Sequence, residues 1–154
     1  MSNVSAKSIY DVLIKALDEH DFKYARYDED MVIQATITTD DFPVEFIMCV
    51  YEEYEVVQFK SILPVKFPED KRVEGAIVTQ IANYGMVNGS FDYDISEGKV
   101  SFRLTNSFTD TMLSTELLWD MIGVSFSTID RYNDRFFMVA KNVMTIEQFI
   151  KAEE

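Results

Sequence analysis

The alternation of apolar and polar residues in the first half of the chain predicts one helix followed by four strands. Between residues 6 and 20, apolar side chains recur at spacings of three and four, as they do on one buried face of a helix. Four segments with a two-residue period follow, at residues 22–27, 31–39, 44–51 and 55–63. Polar clusters separate them, and Thr39, Asp40 and Asp41 followed by Pro43 form the sharpest break. These segments predict an antiparallel meander.

The second half predicts a helix, a hairpin and two further helices. Residues 68–84 have helical spacing. The predicted buried face of that helix consists of Val73, Ala76, Ile77, Ile81 and Tyr84. Residues 90–95 and 99–104 alternate strictly around a turn that ends at Gly98, which is typical of a hairpin. A long helix is predicted over residues 109–141, and the capping box of Thr145 with Gln148 predicts a short helix over residues 145–152.

These elements predict an α+β fold in which an antiparallel sheet, made of a four-strand meander and a hairpin, packs against helices. The chain has 154 residues, enough to bury one sizeable core, so we expect a single domain over residues 1–154. Hydrophobic residues make up 47% and aromatic residues 14% of the chain, which excludes intrinsic disorder.

The charge of the chain argues against nucleic acid as a partner. The formal net charge is −13 and the pI is near 4.4, so the protein repels phosphate backbones and we expect no nucleic-acid partner. No apolar run approaches the roughly 18 residues that cross a bilayer, and the N-terminal residues lack the pattern of a signal peptide. We therefore expect no membrane partner and a cytoplasmic location. A single cysteine, Cys49, excludes an intramolecular disulfide.

Residues with reactive side chains form no recognisable catalytic set. Cys49 is predicted to be a small strand residue, and His20, the single histidine, to lie at the end of the first helix. One cysteine and one histidine do not supply a structural zinc site. The acidic segment from residue 92 departs from a calcium loop because Glu97 stands where such a loop needs glycine. We expect no catalytic residue, no metal and no cofactor.

The long third helix has more apolar residues than one face against a sheet requires. The candidates for a partner or dimer surface on it are Leu118, Trp119, Ile122, Phe126, Phe136 and Phe137. Two explanations stay open: both sides of the helix are buried within one chain, or one side meets a second copy or another protein. Gly123 and the serines that follow it, which have low helix propensity, mark a bend or a close contact with a neighbouring chain.

The order of elements and one longer stretch resemble a known family. The stretch carries Asn83 on a helix, continues through Asn88-Gly89-Ser90-Phe91 and ends in a strand that runs from Gly98 to Arg103. In these features the chain resembles the YbjN family of bacterial proteins, over about residues 9–140. The resemblance implies the fold of type III secretion chaperones and no active-site residue. It also implies a homodimer and a client segment held along an apolar sheet-and-helix surface.

Three functional hypotheses follow. The first is a YbjN-like regulator or chaperone-like module, not an enzyme, that binds a protein or peptide through apolar contact and main-chain pairing. The second is a dedicated type III secretion chaperone for one effector. The third is a small-ligand-binding domain or an enzyme, whose sign would be a deep pocket with converging polar side chains.

Overall fold

The computed structural model describes residues 4–38 and 42–154. The helices are α1 (Ala6–Glu19), α2 (Arg72–Tyr84), α3 (Thr115–Ala140) and α4 (Ile146–Glu153), and a 3₁₀ turn, Glu69–Lys71, precedes α2. The strands are β1 (Ala25–Tyr27), β2 (Val32–Thr38), β3 (Pro43–Tyr51), β4 (Val56–Lys66), β5 (Ser90–Asp94) and β6 (Lys99–Ser107). The break predicted at residues 39–41 lies outside the described residues.

The six strands form one antiparallel sheet in the order β1-β2-β3-β4-β6-β5. Strands β1 to β4 are the predicted meander, and β5 and β6 are the predicted hairpin, so the α+β prediction is confirmed. The hairpin joins through β6, which pairs with β4, and β5 therefore lies at the edge.

Side chains of alternate strand residues form the core on one face of the sheet. In β3, Val44, Phe46, Met48 and Val50 are all buried. The helices cover this face, and Phe126 of α3 contacts Phe46 edge-on with ring centroids 5.6 Å apart. Buried side chains of the sheet and of all four helices belong to one continuous cluster, as expected when every element turns its apolar side to the same core.

Helix α1 forms as its sequence predicts. Ser5 is the N-cap, and its Oγ accepts a hydrogen bond from the Ser8 backbone N–H at 3.1 Å. The buried side chains are Ala6, Ile9, Tyr10, Leu13, Ala16 and Leu17, which recur at helical spacing. His20 is the C-cap, so the predicted position of this histidine is confirmed.

Several element boundaries differ from the prediction, and β1, for example, begins at Ala25 rather than at residue 22. Strand β4 continues through Pro64 to Lys66, because the pairing with β6 shifts register between Ile62 and Lys66 and an irregular ladder tolerates proline. Helix α3 begins at Thr115 rather than at residue 109. Its N-cap is Ser114, whose Oγ accepts a hydrogen bond from the Leu117 N–H at 3.0 Å. The helix is continuous through Gly123.

The predicted buried face of α2 is wrong at three of its five residues, whereas Ala76 and Ile81 are partly buried. Val73, Ile77 and Tyr84 are 66%, 40% and 90% exposed. The buried residues of α2 are Gly75, Val78, Thr79 and Ala82. The helix turns its smaller side chains toward the sheet and leaves an apolar stripe outside.

Candidate functional site

The second face of the sheet carries no helix in the described part of the chain, and its side chains are only partly buried. On β3 this open face presents Glu45, Ile47, Cys49 and Tyr51. The strand register aligns Tyr27 with Val32, and Val32 with Cys49, so apolar side chains of three strands adjoin one another. We call the following residues the open-face patch: Tyr27, Val32, Ile47, Cys49, Tyr51 and Val56.

The outer side of β1 and β2 forms a bare edge. Strand β1 spans three residues and pairs only with residues 32–34 of β2, so residues 35–38 have no neighbouring strand on that side among the described residues. The Val50 N–H donates to the Met31 carbonyl oxygen at 3.1 Å. Along each strand of an antiparallel pair, the backbone hydrogen bonds of successive residues point to opposite sides. The backbone groups of Ile33 and Ile37 therefore bond to β3, whereas the N–H and C=O of Thr36 point away from β3 toward the bare edge. A bare edge of this kind is a template for another strand.

The opposite edge, at β5, is sealed at Phe91 by a side chain. The Asn83 carboxamide of α2 donates from Nδ2 to the Phe91 carbonyl oxygen at 3.0 Å and accepts from the Phe91 N–H, through Oδ1, at 2.7 Å. The carboxamide thus takes the position that a neighbouring strand would take. Sequence reasoning noted Asn83 only as part of a resemblance and did not find this function.

Polar and charged groups occupy the half of the open face that is remote from the bare edge. The Arg103 guanidinium pairs with the Asp92 carboxylate at 3.0 Å, as the alternation of the hairpin predicted. Lys99 pairs with Glu97 at 2.8 Å. The open-face patch lies on β1 to β4, and between it and the bare stretch of β2 the Gln34 side chain donates a hydrogen bond to the Glu45 carboxylate at 2.8 Å.

The thiol of Cys49 lies within the open-face patch, as a strand residue. Partial burial raises the pKa of this thiol, and a hydrogen bond with Tyr51 acts in the opposite direction. His20 lies elsewhere, where its ring stacks on Trp119 with centroids 3.8 Å apart and its Nδ1 lies 2.9 Å from the Ala16 carbonyl oxygen. The two residues therefore do not form a nucleophile–base pair.

The structure divides the six candidate surface residues of α3 into two groups. Leu118, Ile122 and Phe136 are at most 1% exposed within the chain, so they present no surface to a partner. The other three candidates are partly buried against the core: Trp119, Phe126 and Phe137. A partner surface on α3 is thus restricted to these three residues and stays a prediction.

The described residues contain no group of three His, Cys, Asp or Glu side chains arranged to hold a metal ion. None of the helices described, including the 26-residue α3, combines the length and the apolar character that crossing a bilayer requires.

Comparison with known proteins gives a family and a set of structural neighbours. The profile of YbjN, described as "Putative bacterial sensory transduction regulator", matches residues 10–138. No curated protein sequence matches the chain. A chain of the crystal structure of the ExsC–ExsE complex has a TM-score of 0.61 and 13% identity, and the match covers 87% of this chain and 96% of that chain.

A chain of the HopA1–SchA chaperone–effector complex has a TM-score of 0.55 and 10% identity, over 85% of this chain and 98% of that chain. At such low identity these two likenesses concern the fold, and they establish the type III secretion chaperone-like architecture.

Proposed function

The chain belongs to the YbjN family, and from this premise we propose that it is a non-enzymatic, chaperone-like module that binds an extended segment of a protein partner. The segment pairs as an added strand with the bare edge of β1 and β2, and its side chains contact the open-face patch. We further propose that residues 1–154 form one domain and that it acts in the cytoplasm.

The observation that carries the proposal is the difference between the two edges of the sheet. The β5 edge has its exposed backbone groups at Phe91 bonded to Asn83, whereas the β2 edge leaves the backbone groups of Thr36 bare, on the strand that carries Val32 of the open-face patch. Main-chain pairing supplies affinity with little dependence on sequence, and the patch supplies apolar contact. The HopA1–SchA neighbour, a chaperone–effector complex, is consistent with a protein partner.

Replacing Thr36 tests the edge. Thr36→Pro removes an outward N–H without removing a bond to β3, whereas Thr36→Val keeps that N–H and serves as the matched control. We expect a partner captured from native cells by the unmodified chain to be retained by Thr36→Val and lost by Thr36→Pro. A partner that binds Thr36→Pro equally well contradicts the proposed edge, and the absence of any stable partner contradicts the proposed function.

A narrower version of the proposal is a dedicated secretion chaperone for one effector, which the fold of the HopA1–SchA neighbour favours. Capture should then return one predominant protein, and a free segment of that protein should bind in extended form. Several unrelated partners would instead favour a general regulator.

We also propose that the chain forms a homodimer through the α2 stripe, which consists of Val73, Ile77 and Tyr84. These side chains recur along one face of the helix with the uncharged Gln80 between Ile77 and Tyr84, so two copies can pair them without opposing charges. Light scattering tests this directly, because a mass near the 17.9 kDa of one chain contradicts it. Ile77→Asp should yield monomers, whereas Met112→Asp, at an exposed apolar position outside α2, serves as the control.

A further inference from the structure

Helix α4 lies in an aromatic slot that α3 and β5 form. Its one buried side chain, Phe149, stacks on Phe136 with ring centroids 5.8 Å apart. The ring of Tyr132 lies 6.4 Å from that of Phe149. Phe91 of β5 closes the slot, with its ring 5.0 Å from Phe136 and 5.4 Å from Tyr132. The Phe149 ring therefore lies against two rings, those of Phe136 and Tyr132, and Phe91 packs against both of these.

A polar pair completes the contact one helical turn later. Glu153 accepts a hydrogen bond from the Tyr132 hydroxyl at 2.8 Å and pairs with Arg135 at 2.5 Å. The Arg135 guanidinium also lies 5.6 Å from the centroid of the Phe149 ring. Residues four apart share one helix face, so the slot and the pair together recognise an aromatic residue and an acid four positions later.

Few contacts hold α4 in place. Phe149 is the single residue of this eight-residue helix that is buried, and a helix of this length has little stability when isolated. The family profile ends at residue 138, so α4 lies outside the part of the chain that matches the family. Docking of α4 therefore depends on Phe149, on Ile146, which packs partly buried against the core, and on the bonds of Glu153.

The groove continues past the end of α4. A cavity of about 480 Å³ adjoins Glu153 and Tyr132 and is lined by Asn88, Thr128 and Arg131, among others. Arg131 forms no ion pair with an acid in the described ranges, and its guanidinium lies 5.2 Å from the centroid of the Tyr132 ring. A helix longer than α4 would fill this cavity and bring a second acid to Arg131.

We propose that this groove binds an amphipathic helix of a protein partner, with an aromatic residue in the slot, an acid four residues later at Arg135, and a further acid at Arg131. Helix α4 is the competitor built into the chain. The partner binds only to chains in which α4 has left the groove. Its apparent affinity is therefore the intrinsic affinity multiplied by the fraction of chains in which α4 is undocked. This groove is separate from the bare edge and from the open-face patch, so it goes beyond the proposed function.

A labelled peptide with the sequence of residues 142–154 is the probe, and the full-length chain is the receptor. We expect Phe149→Ala in the receptor to tighten probe binding at least about tenfold, because the receptor's own helix no longer competes. Ile150→Ala, which changes an exposed residue of the same helix, should bind the probe as the unmodified chain does. A probe with alanine at its Phe149 position should bind at least about tenfold more weakly. Equal binding by the two receptors, or by the two probes, overturns the proposal.

A second measurement requires no substitution in the receptor. In hydrogen exchange of the unmodified chain, we expect amides of residues 149–153 to exchange at least about tenfold faster than those of residues 132–140 in α3, since α4 opens without global unfolding. Equal protection of both segments overturns the proposal even if Phe149→Ala fails to fold.

A probe extended by two aspartates should gain affinity for the unmodified chain and lose that gain with Arg131→Ala.

Discussion

Asn83→Ala tests whether one carboxamide holds the edge of the sheet. It removes two hydrogen bonds, of 3.0 and 2.7 Å, to the backbone of Phe91. At about 1 kcal/mol each, these bonds contribute about 2 kcal/mol, and a partly buried donor and acceptor left without partners raise the loss to about 4 kcal/mol. We therefore expect the free energy of unfolding to fall by about 2–4 kcal/mol.

Urea denaturation measures this loss. With a slope of about 2 kcal/mol per molar urea, the midpoint should fall by about 1–2 M while the slope itself stays unchanged. Gln80→Ala, at an exposed position of the same helix, should change stability by less than about 0.5 kcal/mol. If Asn83→Ala is as stable as Gln80→Ala, the carboxamide does not hold the strand, and the assignment of a sealed edge is refuted.

Three further predictions concern a turn, a buried hydroxyl and a thiol. Gly98→Ala should cost about 2–4 kcal/mol in urea denaturation, because Gly98 has φ of +74° and a Cβ there would lie 2.1 Å from the Phe67 carbonyl oxygen; a neutral effect would contradict the turn. Burial and the hydrogen bond to Asp28 raise the pKa of Tyr10 to about 12. The folded chain therefore keeps a proton that the unfolded chain releases, stability should fall from pH 10 to about 12, and Tyr10→Phe should reduce that fall in denaturation curves. Because burial raises the pKa of Cys49, a thiol reagent at neutral pH should react more slowly with the native chain than with the urea-unfolded chain, and equal rates would refute this.

The strands and the core were predictable because a two-residue period leaves little choice of face. In the hairpin, Phe91, Val100 and Phe102 are apolar while their sequence neighbours are polar, and all three are buried. A register shift of one residue would expose every one of them. The closing helix was equally predictable, because the capping box of Thr145 and Gln148 is a local interaction and forms as expected.

The orientation of α2 was not predictable from hydrophobicity. The helix has an apolar side with larger residues, Val73 and Ile77, and a side with smaller ones, including Gly75. The smaller side faces the sheet because the Tyr93 side chain packs so closely on Gly75 that a Cβ there would lie 2.4 Å from the Tyr93 hydroxyl oxygen. Such a close approach is a property of the assembled fold and leaves no periodic signal in the sequence.

The candidate site was predictable only in part, because burial on α3 depends on neighbours distant in sequence. Phe136 is buried because Phe149 of α4 stacks on it, and Trp119 is partly covered because His20 stacks on its ring. The number of apolar residues in α3 indicated that both sides of the helix had neighbours. It did not indicate whether those neighbours came from the same chain. The bare edge is a backbone feature, and hydrophobic patterns do not report it.

The unequal edges of the sheet also limit how the protein aggregates. A fibre grows when every molecule offers two pairing edges, one for the molecule before it and one for the molecule after it. Here Asn83 bonds both backbone groups of Phe91, which leaves β5 a shorter free stretch than the one along β2. Two copies that join through their β2 edges form a closed pair, and growth beyond that pair has to use the shortened β5 edge. One carboxamide thus limits the edge along which the concentrated protein is able to polymerise.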